Sequence, residues 1–368
     1  MPDSKLHQLK AHGQSVWIDY LSRKLLQTGE LARLMEDAAI SGVTSNPTIF
    51  QKAISEGDAY DEQLRECLER LSEPKEIYLH LTQNDIQDAC DLLRSVWDGG
   101  AGKDGYVSWE VDPNLANETD ATIEEAQRLH DLGDRPNLYV KIPATKAGLP
   151  AIEEMIARGK NINVTLIFSL ERYAEVAEAY IRGLERLVES GGDPKTVGSV
   201  ASFFVSRVDT EADKRLDAIG GHDELKGKLA VANAKLAYQR YKEIFAGDRW
   251  EKLASAGATK QWPLWASTST KNPDYSDVLY VDELIGPETV NTMPEETIEA
   301  FQDHGRVELT LERDLDEAKR VFERFAEAGV DYDDVVQTLE EEGVQKFIDS
   351  FTELLDGVEA KRGQLAPA

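Results

Sequence analysis

Lys141 stands alone in a run otherwise fit for burial, Asn137-Leu-Tyr-Val-Lys141-Ile-Pro143. If that run is a strand, side chains alternate between its faces. Leu138, Val140 and Ile142 then share one face, and Tyr139 and Lys141 the other. An isolated charge in such a place is expensive unless paired or neutralised. Burial lowers the pKa of a lysine, and an unprotonated amine near neutral pH attacks carbonyls. A lysine at a sheet edge would account for Lys141 taken alone, but four other runs repeat the pattern. Asp19 opposes Val16, Ile18 and Tyr20, while Ser108 and Glu110 oppose Val107, Trp109 and Val111. Asn161, Asn163 and Thr165 alternate with Ile162, Val164 and Leu166, and Ser202 and Phe204 with Ala201 and Phe203. A hydrogen-bonded polar core explains one carboxylate or one amide. It explains poorly a lysine together with two carboxylates, two amides and two hydroxyls.

These runs need a frame that turns all their polar faces the same way. Along the chain, strand-like and helix-like segments alternate. Strands are expected at Val16–Tyr20, Ser41–Ser45, Tyr106–Val111, Asn137–Pro143, Asn161–Leu166, Thr196–Phe204, Trp262–Ala266 and Asp277–Val281. Helices are expected between them, for instance over Tyr60–Trp97, where Leu64, Cys67, Leu68 and Leu71 keep helical spacing. Two more follow at the C-terminus, the first with Leu315, Ala318, Phe322 and Phe325 in register. Such alternation argues for a parallel sheet, and the count of eight for a closed (β/α)8 barrel. The expectation is a single barrel domain over 1–368, with an N-terminal extension at 1–14 and C-terminal helices over about 305–368. An open doubly wound sheet is the alternative, but it would place a Gly-rich nucleotide turn after the first strand, where this chain has none. Helices cover the outside of a barrel, so the polar faces should point inward, and polar groups near strand C-terminal ends form the site.

Composition narrows the partners. Of 368 residues, 41% are hydrophobic, enough for a substantial core, and no apolar run approaches membrane-spanning length. The first thirteen residues lack a basic-then-apolar signal pattern. Two cysteines, Cys67 and Cys90, read as small buried thiols in helices, which favours a cytoplasmic location. A net charge of −28 argues against nucleic acid, whose phosphates demand a basic footprint. If the substrate is anionic, local cations must oppose the field of the whole molecule, which makes any arginine or lysine near the chemistry informative.

Four blocks are recognisable in the order in which they occur. Gly42-Val-Thr-Ser-Asn46-Pro47-Thr-Ile-Phe50, Val140-Lys141-Ile-Pro143-Ala-Thr145, Asn161-Ile-Asn163-Val-Thr165-Leu-Ile-Phe-Ser169 and Ser202-Phe-Phe204-Val-Ser-Arg207-Val-Asp209 resemble the signature blocks of the transaldolase family. The resemblance runs from about Val16 to the C-terminal helices. It implies a cytoplasmic class I aldolase-type enzyme of the pentose phosphate pathway on a (β/α)8 barrel, using no metal or organic cofactor. Such an enzyme moves a dihydroxyacetone unit from sedoheptulose 7-phosphate or fructose 6-phosphate to an aldose phosphate, glyceraldehyde 3-phosphate or erythrose 4-phosphate. Its partners are then small sugar phosphates, with neither nucleic acid nor membrane, and its assembly a monomer or homodimer.

By motif, the resemblance makes Lys141 the Schiff-base lysine and Asp19 the acid/base that takes the proton from the C4 hydroxyl. Glu110 would work through a water held with Thr165, and Asn46, Asn163 and Ser202 would hold the hydroxyls of the three-carbon unit. Arg207, with Phe204 beside it, takes the family's phosphate-binding place, and a guanidinium suits bidentate phosphate contacts. After the seventh strand, many members read Ala-Ser-x-Arg. This chain reads Ala266-Ser267-Thr-Ser-Thr-Lys271-Asn272, so Ser267 and Lys271 are the expected replacements. Two other functions compete. A fructose 6-phosphate aldolase would share the barrel and lysine but release free dihydroxyacetone. Those relatives are shorter and resemble a glutamine at the position of Glu110. A non-catalytic sugar-phosphate-binding barrel could keep Asn46, Asn163 and Arg207 but would not need Lys141 beside Asp19 and Glu110.

Overall fold

Runs of four to six residues rich in β-branched and aromatic side chains are long enough for a strand and too short for a stable helix. In this chain eight of them become strands of one parallel sheet. They are β1 (Gln14–Ile18), β2 (Ile40–Val43), β3 (Val107–Glu110), β4 (Leu138–Pro143), β5 (Ile162–Ile167), β6 (Ser199–Phe204), β7 (Trp262–Ala266) and β8 (Thr289–Met293). The computed structural model describes residues 4–55 and 57–365. Each strand pairs with its successor, and β8 pairs with β1, so the sheet closes into a barrel. Amphipathic helices connect the strands, the longest of these connecting helices being Pro74–Gly99 and Leu170–Glu189.

One expected strand is wrong. Asp277–Val281 lies in a turn and the start of a short helix, Leu279–Asp282, and the eighth strand is Thr289–Met293. Val278 to Val281 is a run of four apolar residues, too short for periodicity to separate strand from helix. Tertiary bonds decide it: Tyr280 Oη donates to Asp209, and Asp282 accepts from the Arg306 backbone N–H. Thr289-Val-Asn-Thr-Met293, bounded by Pro287 and Pro294, becomes the strand through its pairing with β1 and β7.

Inside the barrel the inward positions stack in layers. Near its N-terminal end the Tyr139 ring stacks on Tyr106 with centroids 3.9 Å apart, and Trp17 leans on it at 6.1 Å. Gly42 makes room for that layer, because a Cβ there would come within 2.3 Å of the Trp17 ring. Tyr139 faces inward two residues before Lys141, so Lys141 enters the next layer, toward the strand C-termini. Register sets Lys141 beside Glu110 of β3 and Asn163 of β5.

The expected alternation of β5 holds through Thr165 and then breaks. Three steps on β5, from Val164 to Ile167, face two on β6, from Ala201 to Phe203. Leu166 sits in this bulge at φ 60°, a conformation costly for a leucine. Its side chain meets Gly343 of the last helix, Tyr332–Leu365, rather than lying on the outer face.

That helix has 34 residues and is about 50 Å long at 1.5 Å per residue. At its start Tyr332 Oη donates to Asn233 Oδ1 (2.7 Å). Near its end Lys361 donates to the carbonyls of Ile54 and Gly57, and Arg362 to that of Ser72. Between these anchors it crosses the C-terminal end of the barrel. A Cβ on Gly343 would meet Leu166 at 3.2 Å and Phe168 at 3.4 Å, so the close approach depends on a glycine. Cys67 and Cys90 are buried free thiols in helices, as their spacing predicts. No helix among the described residues is long and apolar enough to cross a membrane.

Candidate active site

Lys141 is buried, and its Nζ donates to the Ser45 carbonyl (3.1 Å) and lies 3.3 Å from Glu110 Oε2. Ser45 follows β2 and Glu110 ends β3, so two neighbouring strands hold the amine. Glu110 is buried too. Burial pushes its carboxyl above the usual range, the Lys141 charge opposes that push, and Asp19 adds to it. Asp19 follows β1, and its Oδ1 accepts from Thr44 Oγ1 at 2.6 Å. Burial raises its pKa as well, with the Thr44 bond, Lys141 and Arg207 pulling the other way. Two carboxyls, both raised by burial, beside one amine make a set of groups suited to general acid–base work.

A second set of contacts runs through the amides. Asn163 Nδ2 donates to Ser108 Oγ (3.0 Å), and Ser202 Oγ donates to Asn163 Oδ1 (2.7 Å). This chain from β3 through β5 to β6 uses one of two N–H donors on Asn163 and leaves the other. Asn46 Oδ1 accepts from the Ile49 backbone N–H (3.1 Å), capping the helix Pro47–Ser55 and leaving its amide NH2. Thr165 Oγ1 is buried with no hydrogen-bond partner among the described residues.

Arg207 lies in the first turn of the helix Ser206–Ile219, after β6. Its guanidinium carbon stands 5.0 Å from the ring centre of Phe204, the last residue of β6. Burial lowers its pKa, while Asp19, Glu342 and Glu110 raise it. Its Nη1 is buried and makes no hydrogen bond among the described residues, which suits a guanidinium shaped to receive an anion. Ser267, just past β7 at φ 55°, shares a 2.9 Å hydrogen bond with Ser206, the neighbour of Arg207. Lys271 is exposed, and its amine donates to Ser269 Oγ at 2.6 Å.

Lys141, Glu110, Asp19 and Arg207 thus form one electrostatic cluster at the strand C-termini, with Asn163, Ser202, Phe204 and Ser267 bonded or packed around it. Lys271 makes no described contact with that cluster. Among the described residues, no three His, Cys, Asp or Glu side chains stand together as a metal site would require. The model of the transaldolase/fructose-6-phosphate aldolase family matches residues 16–358. The chain belongs to this family. A transaldolase of Frankia alni is 52% identical over 362 residues, covering 98% of each chain. Transaldolase 2 of Streptomyces coelicolor is 52% identical over 367 residues, covering 99% of this chain and 98% of its own. A transaldolase of Parafrankia sp. is 53% identical over 364 residues, covering 98% and 99%.

Three features of this transaldolase-family site were given no role in the sequence. Thr44 holds Asp19, and its place in the Gly42–Phe50 block was the available signal. Ser108 holds Asn163, and it shares strand parity with Glu110. Phe347, on the last helix, has its ring centre 5.9 Å from Lys141 Nζ. It lies 206 positions further along the chain, where no local pattern signals it.

Proposed function

We propose that this chain is a transaldolase that moves a dihydroxyacetone unit between sugar phosphates through an imine on Lys141. One observation carries the reading: a buried amine 3.3 Å from a buried carboxyl, under the influence of Asp19 and Arg207 at the same barrel mouth. In this reading Lys141 Nζ adds to the C2 carbonyl of the ketose phosphate, giving a carbinolamine. Glu110, through a water shared with the otherwise unpartnered Thr165 hydroxyl, supplies and removes the protons as that adduct loses water to become an iminium. Asp19 takes the proton from the C4 hydroxyl. The C3–C4 bond then breaks, its electrons flow into the iminium, and an aldose phosphate leaves behind an enamine. The acceptor aldehyde enters, and the steps run backwards.

Asn46, Asn163 and Ser202 would hold the three-carbon unit between the two halves, using the amide hydrogens their protein contacts leave. Arg207 would anchor the phosphate, with Phe204 beneath it and Ser267 and Lys271 contributing from the loop after β7. The reading takes the whole chain as one barrel unit, supported by the last helix being anchored at both ends to helices of the barrel. It places the enzyme in the cytoplasm.

Borohydride reduction in the presence of fructose 6-phosphate tests it. The mass of a reduced three-carbon unit should appear on the peptide containing Lys141, and Lys141→Ala should lose several orders of magnitude in rate. Labelling at another lysine, or undiminished turnover in that variant, would refute the assignment. A coupled assay with and without erythrose 4-phosphate separates the two activities in the family's description: acceptor-dependent turnover means transfer, acceptor-independent release means aldolase.

A further inference from the structure

A phosphate monoester carries a charge between −1.5 and −2 at neutral pH, more than one guanidinium neutralises. In a chain of net charge −28 the field of the whole molecule adds to that deficit. Lys271, on the loop after β7, is exposed and bonded to Ser269. The last helix carries another cation. Gly343 lies against the Phe168 ring, Phe168 packs on Phe204 with centroids 5.3 Å apart, and Arg207 stands over Phe204 at 5.0 Å. One turn on, Phe347 faces Lys141. The turn 342–347 therefore spans the gap between the amine and the guanidinium. Glu342, next to Gly343, is one of the charges acting on Arg207. Lys346, next to Phe347, has its Nζ 3.0 Å from Glu342 Oε2 and a side chain still 59% exposed.

We propose that Lys346 is a further cation that grips the substrate phosphate together with Arg207, and that Glu342 is the internal carboxylate the phosphate displaces. The inference rests on the reading of Arg207 as phosphate anchor. Glu342 pairs with Lys346 and its charge reaches Arg207, so a phosphate drawn to both cations competes with it. An exposed pair at i,i+4 is weak, so a dianion held also by a buried guanidinium competes with it favourably. Lysine suits the role, as a point charge on a flexible stem that swings from carboxylate to phosphate without moving the helix. Glu342 would then act as a selectivity gate: unphosphorylated ketoses lack the charge to take its place.

The two substitutions should act in opposite directions, which a merely structural role for the helix would not produce. The inhibition constant of inorganic phosphate, measured against transfer from fructose 6-phosphate to erythrose 4-phosphate, should rise about tenfold in Lys346→Gln and fall about threefold in Glu342→Gln. The KM for fructose 6-phosphate should move the same way in each. Lys346→Arg should restore most of the loss. Glutamine keeps good helix propensity at both positions, so folding is preserved. An unchanged constant in Lys346→Gln, or a weakened one in Glu342→Gln, overturns the proposal. Arg207→Ala separates the two levels of the argument. Weaker phosphate binding there, with no response at 342 and 346, removes this proposal alone. No response in Arg207→Ala removes the phosphate reading beneath it.

Discussion

Glu110 shows how one side chain is tuned by its surroundings. It is buried, close to Lys141 and within the field of Asp19, so its protonation is set by opposing pulls of which burial is the strongest. In the proposed mechanism, a carboxyl in that condition would be the proton shuttle for the formation and breakdown of the carbinolamine. Glu110→Gln keeps the shape and a hydrogen-bonding end but loses the proton, so transfer should fall by about 10²- to 10⁴-fold. The imine should still be trapped at Lys141, because the amine and its amide neighbours remain. The fraction of turnovers ending in free dihydroxyacetone should rise, since the aldolase relatives resemble a glutamine at this position. Product analysis checks both, and parental transfer with no extra dihydroxyacetone would reduce Glu110 to a polar core residue.

At the scale of elements, the region proposed to hold phosphate depends on a latch between the helix after β6 and the segment after β7. Asp209 and Asp213 lie one turn apart on the helix Ser206–Ile219. Asp209 accepts from Tyr280 Oη (2.9 Å) and from the Ala230 backbone N–H (2.7 Å). Asp213 accepts from Tyr275 Oη (2.6 Å) and from the Gly227 backbone N–H (3.0 Å). These bonds hold the connection leading from Ser267 and Lys271 against the helix that carries Arg207. Burial is the main cause that lifts the Asp209 pKa to about 7. The folded state therefore holds this proton more tightly than the unfolded chain. Its stabilising contribution is complete below the ordinary carboxylate range and is lost as pH rises through about 7. The span corresponds to at most about 4 kcal/mol. Asp209→Asn keeps an acceptor and removes the titration. Relative to the parent, it should gain stability between about pH 5 and pH 8, as read by chemical denaturation. A difference from the parent that does not change with pH would show that Asp209 does not titrate in this window.

The whole molecule carries 69 acidic against 41 basic residues, and many of the basic ones are already paired on the surface, as Arg249 is with Glu178 and Glu185. Exposed pairs of this kind add little each, whereas uncompensated like charge repels across the entire surface. Salt should therefore stabilise this protein: Tm should rise on going from about 0.01 to about 0.2 M sodium chloride, as the Debye length shrinks from about 30 Å to below 10 Å. A Tm that falls with salt would mean that the ion pairs outweigh the net repulsion.

Much of this was readable in the chain because it rests on short-range periodicity. Alternation along β1, β3, β4, β5 and β6 placed Asp19, Glu110, Lys141, Asn163 and Ser202 on inward faces. Strand closure then brings Lys141 to Glu110, with Asn163 beside it in register, as inward faces of adjacent barrel strands must. Three things were not readable. The eighth strand was set by its bonds to β1 and β7, which a five-residue run cannot announce. The bulge at Leu166 arises from fitting β5 to β6, a mismatch that belongs to the pair and not to either strand. The last helix reads alone as an amphipathic helix with an acidic, polar surface. Only packing of Gly343 against Leu166 and Phe168 decides that Phe347 reaches over Lys141. Periodicity is a property of neighbours in sequence and survives in the sequence. Which distant surfaces meet is decided by the shape complementarity of folded elements, and it exists only once they have folded.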